Sequence, residues 1–218
     1  MGSTPISTAF LLTSLTTVGL LEAAGWALGS RLELPHLWLV AAVRAAQALV
    51  VMALAAVQPG GLALLGLEKQ DLILGCRQGL IWSVGFAATA GALFLILAGM
   101  GQQPLKMIRT PLPTGSFQPS LYFLVGGIVA PLAEEIVFRG VIFGYLRRWG
   151  LPAAVLISTA LFGALHLPTI PVTQIVGGAV FAIAYHRSGS LMTPIAIHVL
   201  GNLAIFTLSL PFFQHVIQ

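Results

Sequence analysis

Three groups of polar residues interrupt long apolar stretches of this chain, and each could do chemistry. The first is Glu134–Glu135 with Arg139 behind it, inside the apolar run 119–146. An ionisable group in hydrocarbon costs roughly 2.5–3.5 kcal/mol, so each of the three needs a reason to be there. Glu135 and Arg139 are four residues apart, in the favourable order on one helical face. That spacing predicts a structural ion pair. Glu134 is turned about 100° away from Glu135. It is expected to face a cavity, where a carboxylate can take or give a proton. The alternative is one buried salt-bridge cluster of all three residues that serves helix packing and nothing else.

The second group is Phe162 and His166, four apart and so on one helical face. A single His near a helix end is commonly a cap or an interfacial residue. The third is His198 with Asn202, again four apart, in the middle of the last apolar run. Lipid satisfies neither side chain, so the alternative reading is a polar clasp between helices. Taken together, the three groups supply a carboxylate, two imidazoles and a carboxamide. A carboxylate with an imidazole can activate water. An imidazole with a carboxamide can donate to a developing oxyanion. Such a set suffices for amide hydrolysis without a Ser or Cys nucleophile or a nucleotide.

The elements that must position these groups are membrane helices. Of 218 residues, 57% are hydrophobic and 7% charged, against about 25% charged in a soluble domain. A soluble chain with so few charges could not cover its surface, and disorder needs the opposite composition. The net charge of +4 reflects scarce acids, and ten scattered Lys and Arg make no patch for nucleic acid. Cys76 is the sole cysteine and reads as a small packing residue. No Lys or Arg precedes Arg31, so a cleavable signal peptide is not expected.

Seven apolar runs follow, at 6–28, 37–57, 72–100, 119–146, 152–167, 172–185 and 191–213. They predict an all-α, polytopic membrane bundle of seven or eight transmembrane helices, the eighth arising if 61–67 pairs with a neighbour. The stretch from there to Asp71 reads as a polar loop. Residues 101–118 hold three prolines and read as a linker. They divide an N-terminal part, residues 1–110, from a C-terminal part, residues 111–218, that holds all three polar groups. Charge bias favours an N-in, C-out arrangement. Counted along straight helices, Glu134 lies about 22 Å from one face and His198 about 10 Å from the other, so they meet in depth. His166 misses that level by about 10 Å. Glu22 and Arg44, in the first two runs, read as an interhelical pair.

At this point the residues carry a resemblance. Glu134–Glu135 with Arg139, Phe162 with His166, and His198 with Asn202 look like the three motifs of the CPBP family, in order and spacing. These are the CAAX-type intramembrane endopeptidases and bacteriocin-processing enzymes, also called Abi proteins. The resemblance covers about 117–213, and the first 110 residues match no motif. It implies a glutamic-type intramembrane endopeptidase without a cofactor. Glu134 and His166 would activate water, His198 and Asn202 would form the oxyanion hole, and Glu135 and Arg139 would support them. The implied substrate is a membrane-associated peptide or protein, such as one bearing a leader or C-terminal signal. Membrane lipid is the other implied partner. The implied place is the plasma (inner) membrane of a prokaryote, as a multi-pass protein.

Three alternatives stand beside that expectation. Glu134, His166 and His198 could form a two-His, one-carboxylate zinc site of a metalloprotease, although there is no HExxH helix. The polar cluster could be a clasp in a non-enzymatic immunity or assembly protein. Glu134 could also be the proton relay of a transporter, against which no inverted repeat is found.

Overall fold

The computed structural model describes residues 5–32, 35–113, 118–167 and 172–210, apart from the side chains of Asp71 and Met107. Each of the seven apolar runs is a helix, and no strand occurs among the described residues. We number the helices α1 (Thr8–Leu32), α2 (His36–Ala56), α3 (Leu72–Gly99), the short α4 (Pro104–Ile108) and α5 (Gln118–Trp149). Then come α6 (Leu151–Ala164), α7 (Val172–Ser188) and α8 (Met192–Leu208). The last helix ends at Leu208, and the remainder of the run expected to reach Phe213 lies largely outside the described residues.

Helices α1, α2, α3 and α5 are each long and apolar enough to cross a membrane. Helices α6, α7 and α8 have 14, 17 and 17 residues, or about 21–26 Å. A backbone end can stop below the lipid surface only where protein or a cavity receives it. These three do pack together, α6 on α7 and α7 on α8, with α5 beside all of them. The chain is an integral membrane protein folded as an all-α bundle.

Helix α5 is the axis. Its residues from Ile136 to Phe143 are all buried, and α1, α2, α6, α7 and α8 all pack along its length. It is not a regular α-helix. Val125–Val129 and Ile136–Phe143 are π-helical, so the Ala130 amide donates to Val125 and the Gly144 amide to Arg139, five residues back. Pro131 accounts for the first widening. It has no N–H and its ring clashes with the carbonyl four residues earlier, here Gly127, unless the turn opens. Helix α5 ends at Gly150, whose φ of 93° suits a residue without a Cβ, and Pro152 opens α6 in the first helical turn.

One expectation needs correcting. The segment after α2 is neither a span nor wholly a polar loop. Gly61–Leu65 is a 3₁₀ turn with Leu64 and Leu65 buried, because those residues are apolar and the charges begin only at Glu68. Leu65 lies under Gly140 of α5, and its carbonyl accepts from the Tyr185 hydroxyl at 3.1 Å. The next carbonyl, of Gly66, accepts from the Leu191 amide at 2.9 Å. The N-terminal part is therefore hydrogen-bonded to the turn between α7 and α8. Helix α3 completes the contact by packing on α8, where a Cβ at Gly79 would stand 2.6 Å from that of Ala196.

Candidate active site

The widened second half of α5 turns Glu135 and Arg139 into the bundle. Both side chains are fully buried, and Arg139 Nε stands 3.2 Å from Glu135 Oε2. The structural pair expected from their spacing is present. The rest of the guanidinium is fixed by α6 and α7. Its Nη2 donates to the Gly178 carbonyl at 3.1 Å. Its central carbon lies 4.9 Å from the Phe162 ring centroid and 5.3 Å from that of Phe181, within cation–π range. A Cβ on Gly178 would sit 3.4 Å from Nη2 and 3.2 Å from Thr159, so glycine lets α7 come this close.

The other Glu135 oxygen reaches α8. His198 Nδ1 lies 2.8 Å from Glu135 Oε1, and a carboxylate accepts, so the ring carries its proton on Nδ1. Phe181 stacks on this imidazole at 4.6 Å with 23° between planes, and Phe162 meets it edge-on at 5.8 Å. Nε2 of the same ring points to the other acid, 3.8 Å from Glu134 Oε2. That is an ion-pair distance beyond hydrogen-bond reach. Glu134 keeps 21% of its side chain exposed, while that of Glu135 keeps none. The two adjacent acids thus occupy different environments, one locked and one open.

His166 and Asn202 are tied to other partners. His166 is half-buried, and its Nδ1 lies 2.9 Å from the Phe162 carbonyl of its own helix. Its ring meets the Phe162 ring edge-on at 5.0 Å. Phe162 therefore touches both imidazoles. Asn202 Nδ2 donates to the Gly126 carbonyl at 2.9 Å, on the first wide turn of α5. Among the described residues no three His, Cys, Asp or Glu side chains converge on a point that could hold a metal ion. The Nδ1 atoms of His198 and His166 face the Glu135 carboxylate and the Phe162 carbonyl, which leaves Nε2 of each ring as the nitrogen open to a further partner.

The motif spacing could not reveal Phe181 or Gly178. Both lie on α7, between the second and third polar groups, and neither is polar in its side chain. Gly126 escaped for the same reason, although Pro131 five residues later signals an irregular turn there.

Comparison with known proteins bears on the same segment of the chain. Residues 116–204 match the family described as "Type II CAAX prenyl endopeptidase Rce1-like". The chain is 34% identical over 92 residues to the Bacillus subtilis (strain 168) protein named "Putative membrane peptidase YdiL", covering 41% of this chain and 38% of that one. It is 30% identical over 131 residues to an "Uncharacterized 24.3 kDa protein" of Escherichia coli, covering 56% of this chain and 60% of that one. Each match thus spans less than two thirds of the relative's length. No solved structure matches the chain. The matched segment takes in all three polar groups, and over it the chain is similar to CAAX-type membrane endopeptidases.

Proposed function

We propose that this protein is an endopeptidase of a prokaryotic plasma membrane that hydrolyses a peptide bond in a membrane-associated peptide or protein. The observation that carries this reading is the unequal state of the two acids. Glu135 is spent on Arg139 and His198, whereas Glu134 faces His198 Nε2 with part of its surface open. A carboxylate so placed can take a proton from water as the oxygen attacks the scissile carbonyl, with His166 as the second group holding that water. The proton then passes to the leaving nitrogen, and the products are a carboxylic acid and an amine.

His198 and Asn202 hold the negative oxygen of the intermediate. Donation from His198 Nε2 requires the doubly protonated ring, with Nδ1–H on Glu135 and Nε2–H toward the oxyanion. Asn202 has a second amide hydrogen beyond the one given to Gly126. Arg139 and its aromatic walls keep Glu135, and so His198, in place. The substrate carries a leader or C-terminal signal near the membrane, and no prenyl group is required of it.

A second reading, the non-enzymatic clasp, draws on the complete burial of Glu135 and Arg139. One experiment separates the two. Purified protein in detergent is offered membrane-anchored candidate peptides, with and without a zinc chelator. Cleavage lost in Glu134→Gln and in His166→Ala, and indifferent to chelator, is the expected result. Chelator-sensitive cleavage restored by zinc would replace the glutamate mechanism. Cleavage retained by both variants would end it.

A further inference from the structure

A second charged cluster lies in the N-terminal part, which the family match does not reach. Arg44 Nη1 on α2 donates to Glu22 Oε2 on α1 at 2.9 Å and to Gln47 Oε1 at 2.8 Å. Gln47 Nε2 donates back to Glu22 Oε2 at 2.9 Å and to the Val18 carbonyl at 3.2 Å. Glu22 lies about 15 Å along α1 from Leu32, and Arg44 about 12 Å along α2 from His36. Both are thus well below the helix ends, where a charge is expensive.

The pair differs from the other ion pair in the same molecule. Glu135 and Arg139 are sealed, whereas 56% of the Glu22 side chain and 28% of that of Arg44 are exposed. Glu22 Oε1 and Arg44 Nε and Nη2 make no hydrogen bond among the described residues. Both residues line a cleft of about 340 Å³ between α1 and α2, walled by Trp26, Leu39, Val40 and Val43. Gly25 and Gly29 shape it. A Cβ on either would stand 2.5–2.6 Å from Val43 or Leu39, so glycine holds the helices this close at that edge. A clasp that served packing alone would close over its charges. This one presents about half of an acid and about a quarter of an arginine, side by side, to a cleft that Ser30 and His36 line together with the apolar side chains.

We infer that this cleft seats the headgroup of a zwitterionic phospholipid bearing a primary ammonium. The two open charges match such a headgroup in sign and order. Arg44 donates from Nε and Nη2 to the phosphodiester, and Glu22 Oε1 accepts from the ammonium. The carboxylate favours a primary ammonium, which donates hydrogen bonds, over a quaternary one, which would need an aromatic box where Trp26 stands alone.

The test is lipid retention by the full chain in nanodiscs of mixed composition, read by native mass spectrometry. The wild type should retain phosphatidylethanolamine at least tenfold over phosphatidylcholine and phosphatidylglycerol at equal mole fraction. Arg44→Gln and Glu22→Gln should each lose that preference. Val40→Phe, which fills the cleft and leaves the ion pair untouched, should lose it while the protein melts as the wild type does. Glycerophosphoethanolamine added in water should not compete if the acyl chains contribute, and competition by it would make the ligand a soluble phosphate ester instead. Equal retention of the three lipids, or retention unchanged in Val40→Phe, overturns the inference. Peptidase activity is not the readout, so failure here leaves the reading of the C-terminal site untouched.

Discussion

His198 stands 2.8 Å from Glu135, a residue 63 positions away, and that bond ties α8 to α5 through an acid already paired with Arg139. Guanidinium, carboxylate and imidazole therefore follow one another through the cluster, with the second carboxylate of Glu134 at the far end. Removing an inner member leaves a buried charge uncompensated, and removing the outer one does not.

Replacement of Arg139 by Met should accordingly be the most damaging change. It strands Glu135 without its cation and empties the space between Phe162 and Phe181. Breaking one partner of a buried pair costs about 3–5 kcal/mol. Arg139→Lys should recover little, because an ammonium is not a planar fork able to serve Glu135 and the Gly178 carbonyl together. Thermal unfolding in detergent checks this, and a Lys variant that melts with the wild type would refute it.

The two glutamates should separate stability from turnover. Glu134→Gln keeps shape, touches no buried hydrogen bond and should melt within a degree or two of the wild type. If Glu134 is the base, cleavage falls by about 10²–10⁴-fold. Glu135→Gln should lower both melting temperature and rate, since it weakens the contact to Arg139 and the acceptor for His198. Equal effects of the two substitutions on stability would contradict the division of labour.

At the junction between the two parts of the chain, Gly66→Ala should destabilise. Gly66 has φ 74°, and an added Cβ would stand 2.8 Å from the Gly189 carbonyl oxygen and 3.0 Å from the Tyr185 ring. The left-handed conformation costs an L-residue about 1–2 kcal/mol before any clash. We expect a lower unfolding temperature and faster proteolysis at residues 58–71, both measurable on one preparation.

Asn202 is predicted to matter for folding as well as chemistry. Asn202→Asp replaces the donor to the Gly126 carbonyl with an acceptor, at a cost of about 1–3 kcal/mol. The variant should melt earlier even with every other polar residue intact. An unchanged melting curve would mean that the wide turn at 125–129 needs no such support.

The legible and illegible parts of this protein divide along physical lines. Apolar runs between breakers mark α1 to α3 and α5 to α8 within a few residues because lipid admits few other backbones, whereas the short α4 lies in the stretch read as a linker. The Glu135–Arg139 pair follows from helical spacing and was equally plain. The two π-helical stretches were not, since hydropathy has no signature for a turn wider by one residue. Nor was the burial of Leu64 and Leu65, because a seven-residue apolar segment between Gly60 and Glu68 reads equally as loop or core. The position of His166 could not come from counting along straight helices. Its ring packs on Phe162, which also meets His198 on a different helix.

The hydrogen bonds from Leu65 and Gly66 to the α7–α8 turn also bear on how the chain is made. Residues 61–66 leave the ribosome more than a hundred positions before Tyr185 and Leu191, so they wait in the bilayer for partners not yet synthesised. The final two helices then arrive at a receptor already built by the early ones. Expressed without residues 1–110, they would enter the membrane facing lipid where that receptor should be. Supplying the early segment as a separate chain should restore the docking.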